Sequence, residues 1–133
     1  MKRWQKKQVI NIDVELFKVD VMIFVAMSEK EIRQRKKMVS KKYEKEFLEC
    51  IEDWDKDSDA QTQGRMHSLG GGFVVLIKTN ESWVKTFGVL IHEMTHVTQY
   101  LLKDRRIPLS EDTDEIHAYL VEYLVTTAAR KML

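Results

Sequence analysis

The chain lacks most of the devices that brace small proteins from outside their cores. Among its 133 residues there is one cysteine, Cys50, so no disulfide can close within it. A lone thiol points to a reducing compartment and to a small side chain packed in the core. Pro108 is the only proline, and three of the five glycines fall together in Gly70-Gly71-Gly72. Excess charge of either sign is missing too. The 22 basic and 21 acidic residues leave a net charge of +1, which gives no global pull toward nucleic acid or an anionic membrane. The longest apolar run, residues 21–27, is far too short to span a bilayer. Met1-Lys2-Arg3-Trp4-Gln5-Lys6-Lys7 mimics the basic start of a signal peptide, but Ile10-Asn11-Ile12-Asp13-Val14-Glu15 is no apolar continuation. The expectation is a soluble, cytoplasmic chain with no membrane partner, folding as a single domain over residues 1–133 and large enough to bury a core unaided.

What is present divides by periodicity. Residues 9–25 are rich in β-branched side chains. Ile10, Ile12, Val14 and Leu16 alternate with Asn11, Asp13 and Glu15 before a fully apolar stretch at 21–25. This predicts an N-terminal β-hairpin, with its bend near Phe17-Lys18-Val19-Asp20. Ser28 and Glu31 read as a capping box. They open a long amphipathic helix to about residue 54, with a buried stripe of Ile32, Val39, Tyr43, Phe47, Ile51 and Trp54. Its basic half (Arg33, Arg35, Lys36, Lys37, Lys41, Lys42, Lys45) is interrupted by acids and carries no interleaved aromatic residue. A solvated face accounts for it better than a nucleic-acid site. Residues 55–67 read as an exposed loop, in which His67 is a lone histidine with no evident partner. Gly70-Gly71-Gly72 then leads into a short buried strand, Phe73-Val74-Val75-Leu76-Ile77. The whole predicts an α+β fold that closes with two helices.

Chemistry concentrates in the first of those helices, over residues 83–102, where the sequence reads His92-Glu93-Met94-Thr95-His96. Residues four apart stack on one helix face, so His92 and His96 can offer two imidazole nitrogens to one metal ion. Glu93 stands one position round, where it can polarise a water on that metal. Unpaired His and Glu would be costly to bury in so apolar a helix. The core stripe is expected at Trp83, Phe87, Leu90, Ile91, Met94 and Leu101, with Asn80 or Ser82 as the cap and the ligands beside the solvent-facing side. A third donor is needed, and the best candidate is Glu115 in Asp112-Thr113-Asp114-Glu115-Ile116-His117-Ala118-Tyr119. The intervening residues 97–114 suffice to end one helix, turn at Pro108 and begin another at about residue 111. Glu111, Asp112 and Asp114 are neighbouring acids that a shorter turn would present instead. Glu122 or Asp112 could accept a ligand imidazole N–H. Ala118 is small enough to let the two helices approach closely. Two His and one carboxylate leave a fourth position for water, as a catalytic Zn2+ requires, although cobalt or manganese would suit the same donors.

HExxH followed at this distance by Glu115 resembles the gluzincin branch of zinc metallopeptidases. The Gly and third His of the metzincins do not follow His96. Residues 65–131 also resemble small zincin-like metallopeptidases of phages and prophages, with Glu115-Ile116-His117-Ala118-Tyr119 standing for their Glu-x-x-Ala-Tyr element. The resemblance implies a minimal zincin-like fold and hydrolysis of a peptide or protein substrate. It also allows a host-cytoplasm location for a phage-encoded protein. Glu93 is implied as general base, and a wall for an extended peptide is implied along Gly72, Phe73, Val74 and Val75. Tyr119, one turn after Glu115, could hydrogen-bond a ligand or an oxyanion, and Tyr100 has the same standing one turn after His96. The rival is a non-catalytic, zinc-stabilised protein-interaction module of phage or prophage origin, against which an intact Glu93 counts. A nucleic-acid-binding helical protein is a weaker third. No feature fixes an oligomeric state.

Overall fold

The computed structural model describes residues 1–56 and 63–133. Strands β1 (Gln8–Val14) and β2 (Val19–Val25) form the expected N-terminal hairpin. Ile10 pairs with Ile23, Ile12 with Val21 and Val14 with Val19, so the β-branched side chains share one face. The chain reverses at Glu15–Phe17, with Lys18 left-handed at φ 53°, slightly earlier than the sequence suggests. Strands β3 (Gly64–Leu69) and β4 (Gly72–Ile77) make a second hairpin, and β4 runs parallel to β2. The sheet order is β1-β2-β4-β3, and the fold is α+β.

Both faces of the two central strands are covered. On one lie helices α3 (Trp83–Asp104) and α4 (Asp114–Met132), where Leu90, Met94, Leu101, Leu124 and Ala128 join Val21, Ile23, Val75 and Ile77. On the other lie helices α1 (Glu29–Arg33) and α2 (Glu44–Cys50), where Ile32, Phe47, Ile51 and Trp54 join Phe24, Val74 and Leu76. Burial on both sides is why residues 21–25 and 73–77 are unbroken apolar runs, whereas β1 alternates. Cys50 is buried, as expected.

Two expectations about secondary structure need correction. The long amphipathic helix is two short ones, α1 and α2, joined by 3-10 turns at Lys36–Met38 and Lys41–Tyr43. Arg33, Lys37, Lys41 and Lys45 would stack like charges at every fourth position of a continuous helix, and Val39-Ser40 favours none. The capping box does form, with Ser28 Oγ accepting from the Glu31 amide at 3.2 Å and Glu31 accepting from the Ser28 amide at 3.1 Å. Hydrogen bonds from Lys7 and Ser28 hold the Glu31 carboxyl down to about 2. The expected loop is partly strand, because residues 64–67 pair with β4 despite their polar composition. Residues 57–62 of that loop lie outside the described residues.

Ser82 caps α3, accepting from the Lys85 amide at 3.3 Å, and Asn80 Oδ1 accepts from the Ser82 amide at 2.7 Å. The connection to α4 is tied by Thr113 Oγ1 donating to the Pro108 carbonyl and by a hydrogen bond between His117 Nε2 and the Ile107 carbonyl. His117 is therefore a buried packing residue. Ala118 is exposed, and the small residue buried between helices and sheet is Ala128. No helix among the described residues is long and apolar enough to cross a membrane.

The β2–β4 seam depends on Gly72, where an added Cβ would lie 2.5 Å from the Asp20 carbonyl oxygen. Gly72→Ala should lower stability by about 1–3 kcal/mol, read as an earlier midpoint in urea unfolding. An unchanged midpoint would show that the seam can open at no cost.

Candidate functional site

His92 and His96 lie on α3, turned away from the buried face formed by Leu90, Met94, Val97 and Leu101. They are thus on the solvent-facing side, where the sequence pattern placed them beside it, and Ile91 is also exposed instead of buried. The two rings meet edge to face, with centroids 4.7 Å apart, and their Nε2 atoms are 3.1 Å apart. Two neutral imidazoles at that distance can share one proton, or aim both lone pairs at one cation. A tetrahedral zinc with bonds of about 2.0–2.1 Å sets its nitrogen ligands about 3.3 Å apart. The pair is therefore close to ligating geometry.

Glu93 turns the other way. It is only 5% exposed and lies under the start of β3. A Cβ on Gly64 would stand 2.8 Å from Glu93 Cγ and Oε1, and 2.9 Å from Val89 Cγ1. Glycine at 64 is what lets the strand lie over the carboxylate. Burial pushes the Glu93 carboxyl up from its ordinary value, while His92 and His96 pull it down.

Beside His92 and Glu93 opens a cleft of about 1100 Å³. One wall is Gln63 and Gly64 at the start of β3, and the lip is Asn80, Glu81 and Ser82. Its floor is the first half of α3, at Lys85, Gly88, Val89, His92 and Glu93. Gly88 is unusual there. A glycine inside a helix costs about 1 kcal/mol relative to alanine, yet a Cβ at Gly88 would meet nothing within 4 Å. No packing contact within the described residues requires it.

The structure does not bring the remaining candidates to the His pair. Glu115 and Tyr119 stand on the face of α4 opposite Leu120, Leu124 and Ala128, with Tyr119 67% exposed. Glu111, Asp112, Asp114 and Glu122 are exposed as well. Among the described residues no group of three His, Cys, Asp or Glu side chains is placed to hold a metal ion. Tyr100 is also exposed. His67 lies on the far side of the sheet. Strand alternation puts Met66 with the α3 layer and Leu69 with the α1–α2 layer, so His67 shares the latter face. Burial and the charge of Arg65 push its imidazole down.

The peptide wall needs correction as well. Gly72, Phe73, Val74 and Val75 pair with residues 20–23 of β2 on one side and with residues 66–69 of β3 on the other. Their backbone groups are committed to the sheet, so no added strand can use them. The strand at the sheet's end, beside α3, is β3. The sequence did carry signals for it in the isolated Gly64 and in Gly88 inside an otherwise helical pattern.

No protein-family model matches the chain, and no curated protein or solved structure matches it either.

The position of Glu93 has a measurable consequence. Because its native carboxyl holds a proton more tightly than the unfolded one, the contribution of Glu93 to stability is fullest at acid pH. It falls as pH rises from the ordinary value of 4.5 through the raised native one. In EDTA, Glu93→Gln should match the wild type near pH 4 and be the more stable at pH 7–8. Parallel melting-temperature curves for the two proteins would refute the buried, ionisable placement.

Proposed function

We propose that the chain is a zinc-dependent peptidase in which Glu93 is the general base. The observation that carries this is the convergence of His92 and His96 Nε2, at 3.1 Å, beside a buried carboxylate at the edge of a cleft. His92 and His96 fit a divalent ion as two of its donors. Glu115 has the gluzincin-like spacing but stands on the outward face of α4, away from the pair, so the reading rests on the two imidazoles alone. When bound, the ion supplies a Lewis acid and lowers the pKa of a coordinated water.

The chain's own residues do the rest. Glu93, its carboxyl raised above the ordinary value by burial, accepts the proton of the attacking water and returns it to the leaving amine. Gly64 lets β3 lie close over that carboxylate. The β3 end of the sheet offers main-chain groups to an extended peptide laid along it. This role passes to β3 from the committed strand β4. The rival interaction module would use zinc to hold the fold together. Against it, α3 is anchored by Leu90, Met94, Val97 and Leu101 on the face away from the His pair, so the core does not need the ion.

Mass spectrometry of protein purified without tag or chelator should find about one zinc per chain, lost in His96→Ala. Glu93→Gln should keep the metal and lose hydrolysis of a peptide library by about 10²–10⁴-fold. No metal in the wild type, with stability indifferent to zinc and EDTA, would end the proposal. Glu115→Ala should leave zinc affinity unchanged in a competition titration, and a weakened affinity would return Glu115 to the ligand set.

A further inference from the structure

The floor of the cleft continues along α3 beyond His92, and what it presents there is one cation behind one bare patch of helix. Gly88 leaves the helix surface open one turn before His92, and Lys85 stands about another turn further on. Among the described residues Lys85 is the only Lys or Arg lining this cleft, and it makes no ion pair there. Glu81, on the lip four residues earlier, makes no ion pair with it among the described residues, and Glu93 is buried under β3. The lysine charge is thus exposed to whatever lies in the cleft.

The spacing suits a chain running over that floor. Lys85 and His92 are two turns apart, about 10 Å along the axis. That is roughly three residues of extended peptide at about 3.3 Å each. Gly88 lies between them, where a side chain would rise into the path of such a backbone. The glycine itself is then explained by the ligand, since no contact among the described residues needs the space.

We propose that Lys85 is a specificity-determining residue that recognises a carboxylate, with Gly88 clearing the path between it and the site. The carboxylate is carried by an extended peptide about three residues from the bond at the His pair, as an acidic side chain or as the chain's C-terminus. The proposal names the substrate class for the peptidase reading and rests on that reading for its position along the peptide.

Binding is the suitable readout, because it needs neither metal nor turnover. Fluorescence anisotropy in EDTA would compare labelled hexapeptides that differ only in Glu, Gln or Lys at one position, each made with a free or an amidated C-terminus. Wild-type protein should bind a carboxylate-bearing peptide up to about fivefold more tightly than its amide partner, the range of an exposed ion pair. Lys85→Ala should abolish that preference and Lys85→Glu should turn it toward the Lys peptide. Preference for Glu over Gln identifies the side-chain source, and preference for the free over the amidated end identifies the terminus. Gly88→Ala should raise the melting temperature and still weaken peptide binding, a combination that a purely structural glycine would not give. No peptide binding, or an acid preference unchanged in Lys85→Ala, overturns the proposal. Acid-selective binding through Lys85 without any cleavage by zinc-loaded protein would sink the peptidase reading and keep this one, and cleavage indifferent to acidic groups would do the reverse.

Discussion

Burial of the β2–β4 pair on both faces is the constraint from which the rest follows. Two parallel strands of almost purely apolar sequence cannot leave either face to water. One face takes α3 and α4, the other takes α1, α2 and Trp54. With β2 and β4 fixed at the centre, β1 and β3 occupy the ends of the sheet. Helix α3 then lies under β3, with its apolar side held to the core. Its HExxH segment has no freedom left in orientation: Glu93 is pressed beneath Gly64 while both imidazoles face outward. The division of labour between a desolvated carboxylate and two accessible nitrogens is thus a product of sheet packing.

Much of this could be read from residues. The alternation of Ile10, Ile12 and Val14 against Asn11 and Asp13 announced a strand covered on one side, and the Ser28–Glu31 box announced a helix start at its true position. The HExxH spacing put both histidines on one face because helical geometry leaves no alternative. Where local rules competed with tertiary ones, the reading fell short. Phe47, Ile51 and Trp54 showed helical periodicity because they pack on one surface, but like charges among Arg33, Lys37, Lys41 and Lys45 break the backbone that would have joined them to Ile32. Gly-Arg-Met-His-Ser-Leu at 64–69 has too little β-branched character to signal a strand. Only its pairing with β4 makes it one.

The site was legible to the same extent. Sequence spacing alone predicts which side chains share a helix face, and so it served for His92 and His96. The same periodicity marks Leu120, Leu124 and Ala128 as the buried side of α4, as found, but it does not say whether residues on the adjacent face turn toward α3, and Glu115 and Tyr119 stand outward. Nor does an apolar strand declare whether it lies inside a sheet or at its end. The resemblance implies a peptide wall that begins at Gly72, whereas Gly72 serves a close approach to the Asp20 carbonyl.

The parallel seam also sets an order of events during synthesis. Its register joins Asp20 to Gly72 and Val25 to Ile77, so β2 must wait for residues far downstream. Closing so long a loop carries an entropic cost, and contacts of this kind form late. Until β4 leaves the ribosome, the β1–β2 hairpin presents Val-Asp-Val-Met-Ile-Phe-Val with one edge unpaired, a surface that invites association with other nascent chains. The interval between the two strands carries the charge-rich stretch at 33–45, which keeps the waiting chain solvated while its most adhesive edge is still open.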